Sequence, residues 1–145
     1  MPSFPTKVLV GVDRSEGASL ALDVGVELAT ATASELHLVH VKVLSGMVGG
    51  RPVSPATQES MAEEGEVLLD ELRHRVEEAG GTVAGTHVRG GSSIDEALAR
   101  AQEELEAGLL VVGASNTGRV AQRLVGSTST GTARKAMGSV LVVRP

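Results

Sequence analysis

The chain has 145 residues, a formal charge of −5, 18 glycines, no cysteine and one aromatic side chain among Phe, Trp and Tyr, that of Phe4. That length suits one domain spanning residues 1–145, and the lack of cysteine excludes a disulfide framework or a thiolate zinc site. No basic block favours nucleic acid, no aromatic platform is available for base stacking, and no apolar run approaches the roughly 20 residues of a membrane span.

The first residues, Met1 to Thr6, carry neither a basic nor an apolar signal region, so a cytoplasmic location is expected. Lys7-Val8-Leu9-Val10-Gly11-Val12-Asp13 is a continuous apolar run that ends in an acid. Unbroken apolarity is the pattern of a strand buried on both faces. Ser15 is placed to cap a helix in which Ala18, Ala21, Leu22, Gly25, Leu28 and Ala29 recur at helical spacing. A second apolar run, Leu36 to Val41, follows the polar turn Thr32-Ala33-Ser34.

Val43 to Ser54 reads as one long irregular stretch, broken by Gly46, Gly49, Gly50 and Pro52. Ser54-Pro55 is an N-cap followed by proline at the first helical position. The helix it opens has a stripe of Met61, Gly65, Leu68, Leu69, Leu72, Val76 and Ala79 and ends at Gly80-Gly81. Its other face is acidic, as expected for a solvated surface. Thr82 to Val88 is a weaker, polar strand, expected at a sheet edge, with Arg89-Gly90-Gly91 as its turn. Ser93-Ile94-Asp95-Glu96 fits a capping box ahead of the stripe Ile94, Ala97, Leu98, Ala101 and Leu105. A helix poor in intrinsic propensity is expected near Ser127 to Met137, and Val140 to Arg144 is a terminal strand.

Strand and helix alternate throughout. This implies an α/β, doubly wound domain with a five-stranded parallel sheet and helices on both faces. In such sheets ligands bind at the carboxyl ends of strands, where strand order reverses. Asp13, Val41 and Gly113 end three of the strands. After Gly113 comes a small, polar, glycine-bearing loop, and Gly126-Ser127 then opens a helix. This is how a parallel sheet presents N–H groups and a helix N-terminus to an anion, so the stretch reads as a phosphate-cradling loop. Plainer readings stand beside this one. Gly113 is equally a turn glycine, Gly126-Ser127 a helix N-cap and Asp13 a cap of the first helix. His40, inside an apolar strand, reads as a satisfied core or rim histidine. His37, His74 and His87 have no partner at metal spacing. Neither a Gly-x-Ser-x-Gly elbow, a Walker lysine loop nor a defensible Ser-His-Asp set is present, and no catalytic residue is assigned.

The spacing from Gly113 to Gly126-Ser127 resembles the glycine signature of the universal stress protein family, in which a glycine, two residues, a second glycine and nine residues precede Gly-Ser or Gly-Thr. The run Arg123-Leu124-Val125-Gly126-Ser127, the first strand with Asp13 and Ser15, Leu38-Val39-His40-Val41, and the last strand resemble the family as well. One position departs: Asn116 stands at the second glycine. Asparagine is the ordinary residue that best tolerates the left-handed region. The resemblance implies an adenine nucleotide alpha hydrolase-like fold with strand order 3-2-1-4-5. It implies a regulatory module of the stress response that binds ATP or another adenine nucleotide. Asp13 would sit by the ribose or the metal side of the phosphates, Val41 would meet adenine through its main chain, and Gly113, Asn116, Gly126, Ser127 and Thr128 would line the phosphates. Magnesium would be held mainly by phosphate oxygens. A homodimer through residues 140–144 is implied too. The alternatives are a dimeric interaction protein with a vestigial site and a slow ATPase, the latter lacking any identified general base or arginine finger.

Overall fold

The computed structural model describes residues 7–43, 47–48, 51–52, 54–114 and 127–145. Its elements follow in the order β1 (Lys7–Gly11), α1 (Glu16–Thr32), β2 (Glu35–Val43), β3 (Met47–Val48), β4 (Arg51–Pro52), α2 (Pro55–Glu78), β5 (Gly85–Gly91), α3 (Ile94–Glu104), β6 (Leu109–Gly113), α4 (Ser127–Lys135) and β7 (Ser139–Val143). Five strands form one sheet in the order β5-β2-β1-β6-β7, and every pairing in it is parallel. Counting only these five, the order is 3-2-1-4-5, the doubly wound arrangement expected from alternating elements.

Local chemistry starts the helices where the sequence marks them. The Ser15 hydroxyl accepts from the Ala18 N–H at 3.1 Å, and the Ser54 hydroxyl accepts from the Thr57 N–H at 3.1 Å ahead of Pro55. The α2 helix closes as the Gly81 N–H returns to the Val76 carbonyl at 2.9 Å. Two apolar layers sandwich the sheet. On one face, Val8, Val10, Leu36, Leu38 and Val111 pack against Ala21, Leu22 and Ala29 of α1 and Leu69 and Val76 of α2. On the other, Leu9, Val39, Leu110 and Val112 pack against Leu98 and Ala101 of α3. Adjacent residues of one strand feed opposite layers, which is why the strands read as unbroken apolar runs.

Three expectations are corrected. The stretch from Val43 to Ser54 is not irregular throughout: β3 and β4 pair antiparallel, Met47 with Pro52 and Val48 with Arg51. A two-stranded ribbon tolerates a proline because each strand is an edge. Arg89, Gly90 and Gly91 are not a turn. They pair with Val41, Lys42 and Val43, so β2 runs longer than its apolar core and carries β5 with it. Ser93 is the N-cap residue of α3 but makes no side-chain cap bond. Asp95 Oδ1 accepts from the Glu96 N–H at 2.8 Å, and the Ser93 hydroxyl beside its carboxyl is the first cause holding that group below its ordinary pKa.

The weak intrinsic propensity of α4 is offset by packing. Thr132 is fully buried, Gly131 lies against the Asp95 carboxylate, and Lys135 Nζ donates to Asp95 Oδ2 at 3.1 Å. No helix among the described residues is long and apolar enough to cross a membrane.

Candidate functional site

Strand order reverses at β1. From there the chain moves outward to β2 and β5, then returns to β6 and β7 on the other side. A cleft of about 270 Å³ opens at the carboxyl ends of β1, β2 and β6. Gly11, Val12, Asp13 and Ser15 contribute from the end of β1, and Val39, His40 and Val41 from β2. Val112, Gly113 and Ala114 come from β6, and Ile94 and Leu98 from α3. A volume near the lower bound of small-molecule pockets, roughly 300 Å³, is the scale of a nucleoside.

Asp13, Val41 and Gly113 therefore meet at one cleft, although 28 and 72 positions of sequence separate them in turn. Asp13 is exposed, and its Oδ1 accepts from the Ser15 N–H at 2.7 Å. Ser15, and not Asp13, caps α1. Among the described residues, the second oxygen of Asp13 accepts no hydrogen bond. The Val39 carbonyl accepts from the Val12 N–H at 2.9 Å. Val41, two residues on, turns its main chain to the same side, past the end of β1.

Gly113 has a packing role that its sequence context does not reveal. A Cβ there would overlap the carbonyl group of Gly17 and lie 2.9 Å from the Ala18 nitrogen. Gly17 meets β6 in return, since a Cβ on it would lie 2.6 Å from the Ala114 oxygen. The pair lets the start of α1 press on the end of β6, which sets the depth of the cleft. Asn116 and Gly126 lie outside the described residues. Ser127 and Thr128 are the first two residues of α4.

Sequence reasoning missed the aliphatic wall of the cleft. Ile94 and Leu98 belong to the apolar stripe of α3 and read as core. Leu98 is buried, whereas Ile94 is 39% exposed at the mouth. The available signal was position: Ile94 is the first residue of a helix that starts at the carboxyl end of a strand. His40 is satisfied as expected, its Nδ1 lying 2.9 Å from the Val12 carbonyl oxygen.

Away from the cleft, His37 and His87 do find a partner in each other. Nδ1 of His37 is 3.1 Å from Nε2 of His87, with ring centroids 5.3 Å apart and planes at 20°. Nitrogens that close with centroids that far apart mean rings joined end to end through one N–H···N bond. Glu35 Oε1 lies 3.4 Å from His37 Nε2. Burial first, then the His37 ring and Arg89, hold the His87 imidazole below its ordinary pKa. Among the described residues no group of three or more His, Asp or Glu is placed to hold a metal ion.

A model of the universal stress protein family matches residues 5–144. Among solved structures, a protein of that family from Burkholderia pseudomallei superposes with a TM-score of 0.73 at 29% identity, covering 95% of each chain. A universal stress protein in complex with cAMP gives a TM-score of 0.71 at 27% identity over 97% of each chain. A family protein from Arabidopsis thaliana with AMP bound gives 0.65 at 20% identity, over 97% of this chain and 92% of that one, a likeness of fold alone. A comparison with curated proteins finds no match.

Proposed function

The chain belongs to the universal stress protein family, and we propose that it serves as an adenine-nucleotide-binding regulatory module of the stress response. The observation that carries this reading is the cleft at the reversal of strand order. It joins an aliphatic slot to the Asp13 carboxylate, and the next described helix after its rim residue Gly113 is α4, whose first turn begins at Ser127. A nucleotide asks for those three things in that sequence: an apolar place for the base, acceptors for ribose hydroxyls and donors for phosphate. The solved family member in complex with cAMP supports the same ligand class.

In this reading the base lies between Val41, Ile94 and Leu98, and aliphatic side chains do what aromatic ones do elsewhere. The main chain of Val41 meets the base edge, and Asp13 accepts from the ribose. Main-chain groups of Gly113, Asn116 and Gly126, the hydroxyls of Ser127 and Thr128, and the N-terminal dipole of α4 take the phosphates. ATP with magnesium is the preferred form, the metal being carried on phosphate oxygens. The module works in the cytoplasm as a homodimer joined through residues 140–144. β7 is an edge of the sheet, short and apolar, and pairing covers it.

Isothermal titration with ATP-Mg, AMP and cAMP tests the reading. Saturable heat and a thermal shift are expected, with Asp13→Asn weakening binding about tenfold through loss of a charge-assisted bond. Absence of both heat and thermal shift at millimolar ATP-Mg removes the reading and leaves the interaction protein with a vestigial site.

A further inference from the structure

His40 sits two residues beyond Leu38, on the sheet face that α1 and α2 cover, yet it also lines the cleft. Its Nδ1 is 2.9 Å from the Val12 carbonyl oxygen. A carbonyl only accepts, so Nδ1 carries a proton and donates it in this bond. The Val12 N–H meanwhile donates to the Val39 carbonyl at 2.9 Å. Both main-chain groups of Val12 are thus held by β2, one by backbone and one by a side chain.

That double hold falls where the strand stops. Pairing between β1 and β2 runs to Gly11 opposite Val39. The His40 ring supplies one more rung beyond it. The next residue is Asp13, and its Oδ1 bond to the Ser15 N–H carries the corner into α1. From the far side α2 presses on the ring through Gly65. A Cβ at Gly65 would lie 2.8 Å from His40 Cδ2, so the contact needs a residue without one. The ring is held between a helix and the corner that presents Asp13.

We propose that His40 is a positioning residue of the cleft: its Nδ1–H bond to Val12 holds the β1–α1 corner so that the Asp13 carboxylate faces the ligand. The consequence for affinity rests on the nucleotide reading above; the consequence for the corner does not. A histidine that only fills space beneath Gly65 would be replaceable by shape. One that positions the corner needs a donor at the place of Nδ1.

Three variants separate these cases. His40→Asn puts an amide N–H near the place of Nδ1, His40→Gln puts one near that of Nε2, and His40→Leu removes both. In the ligand-free protein, nitrogen-15 NMR is expected to show a His40 ring protonated at Nδ1. In His40→Leu, folded by circular dichroism, the Ser15 amide is expected to shift and exchange faster. ATP-Mg binding by that variant weakens about five- to tenfold, the worth of one such bond. His40→Asn restores most of both losses and His40→Gln restores neither. A ring protonated at Nε2 and not at Nδ1 overturns the proposal without any variant. An unmoved Ser15 amide in His40→Leu overturns it too, as does rescue by Gln in place of Asn, which would put Nε2 on the ligand. If the unaltered protein binds no adenine nucleotide, the functional reading fails while the ring spectrum and the Ser15 amide still decide the corner.

Discussion

Replacing Gly113 by alanine tests whether the first glycine of the loop serves the ligand or the fold. The added Cβ would overlap the carbonyl carbon and oxygen of Gly17 and lie 2.9 Å from the Ala18 nitrogen. All three atoms are backbone, so no change of rotamer relieves the clash. The start of α1 has to move by about 1–2 Å to reach ordinary carbon contacts of roughly 3.5–4.0 Å. That motion disturbs the packing of Ala18, Ala21 and Leu22, all buried beneath it. Overpacking of this kind costs about 1–3 kcal/mol, and a backbone clash belongs at the upper end. Loss of glycine's freedom in the unfolded chain returns about 0.5–1 kcal/mol, leaving a net destabilisation of about 2 kcal/mol. In a urea melt with a slope of about 2 kcal/mol/M, the midpoint drops by about 1 M, and Tm falls by about 4–8 °C. Gly11→Ala is the control, because a Cβ there meets Leu98 Cδ2 at 3.2 Å, the movable end of a side chain. Its cost is expected below about 1 kcal/mol. A Gly113→Ala protein that melts with the unaltered chain and loses only nucleotide affinity would refute the packing argument.

Two further outcomes follow from the strands at the sheet edges. His87 titrates below 6.5 because burial and the facing His37 and Arg89 disfavour its charged form. Between its folded pKa and 6.5 the unfolded chain binds more protons, so stability falls as pH drops below 6.5. The other charged groups nearby are Glu35 on β2 and Glu104 on α3, the latter 3.5 Å from Arg89. His87→Gln is expected to flatten the rise of unfolding free energy with pH in that window, read from urea melts at half-unit steps; an unchanged slope would remove His87 as its source. Val142→Lys places a charge on the open edge strand and is expected to raise the dimer dissociation constant at least tenfold, with the lysine stem lying over the core in the monomer. Light scattering that shows the same dimer at the same concentrations would refute an interface through β7.

Much of the architecture is written in local pattern. Continuous apolar runs at Val8–Val10 and Leu109–Val112 mark strands buried on two faces, and alternation with amphipathic helices leaves a parallel sheet as the consistent answer. Ser15, and Ser54 with Pro55, start their helices for reasons confined to a few residues. Because a cleft in such a sheet opens where strand order reverses, the strand ends Asp13, Val41 and Gly113 could be expected to meet at one opening, and they line it together. Other features depend on how elements cross. The register of β5 is set by the length of β2, which is why Arg89, Gly90 and Gly91 look like a turn and are a strand. Nothing near Gly113 announces that its missing Cβ makes room for Gly17, nor near Gly65 that its own makes room for His40. The end-to-end bond between His37 and His87 joins rings 50 positions apart, and the His40 proton is assigned by a carbonyl 28 positions away. The sequence by itself determined the buried strands, the caps at Ser15 and Ser54 and the end of the sheet where the cleft opens, since those follow from periodicity, the alternation of elements and short-range hydrogen bonding. Only the tertiary structure decided which glycine serves packing, which histidine holds the Asp13 corner and that Ile94 stands at the mouth, because those follow from register and close approach between elements distant in the chain.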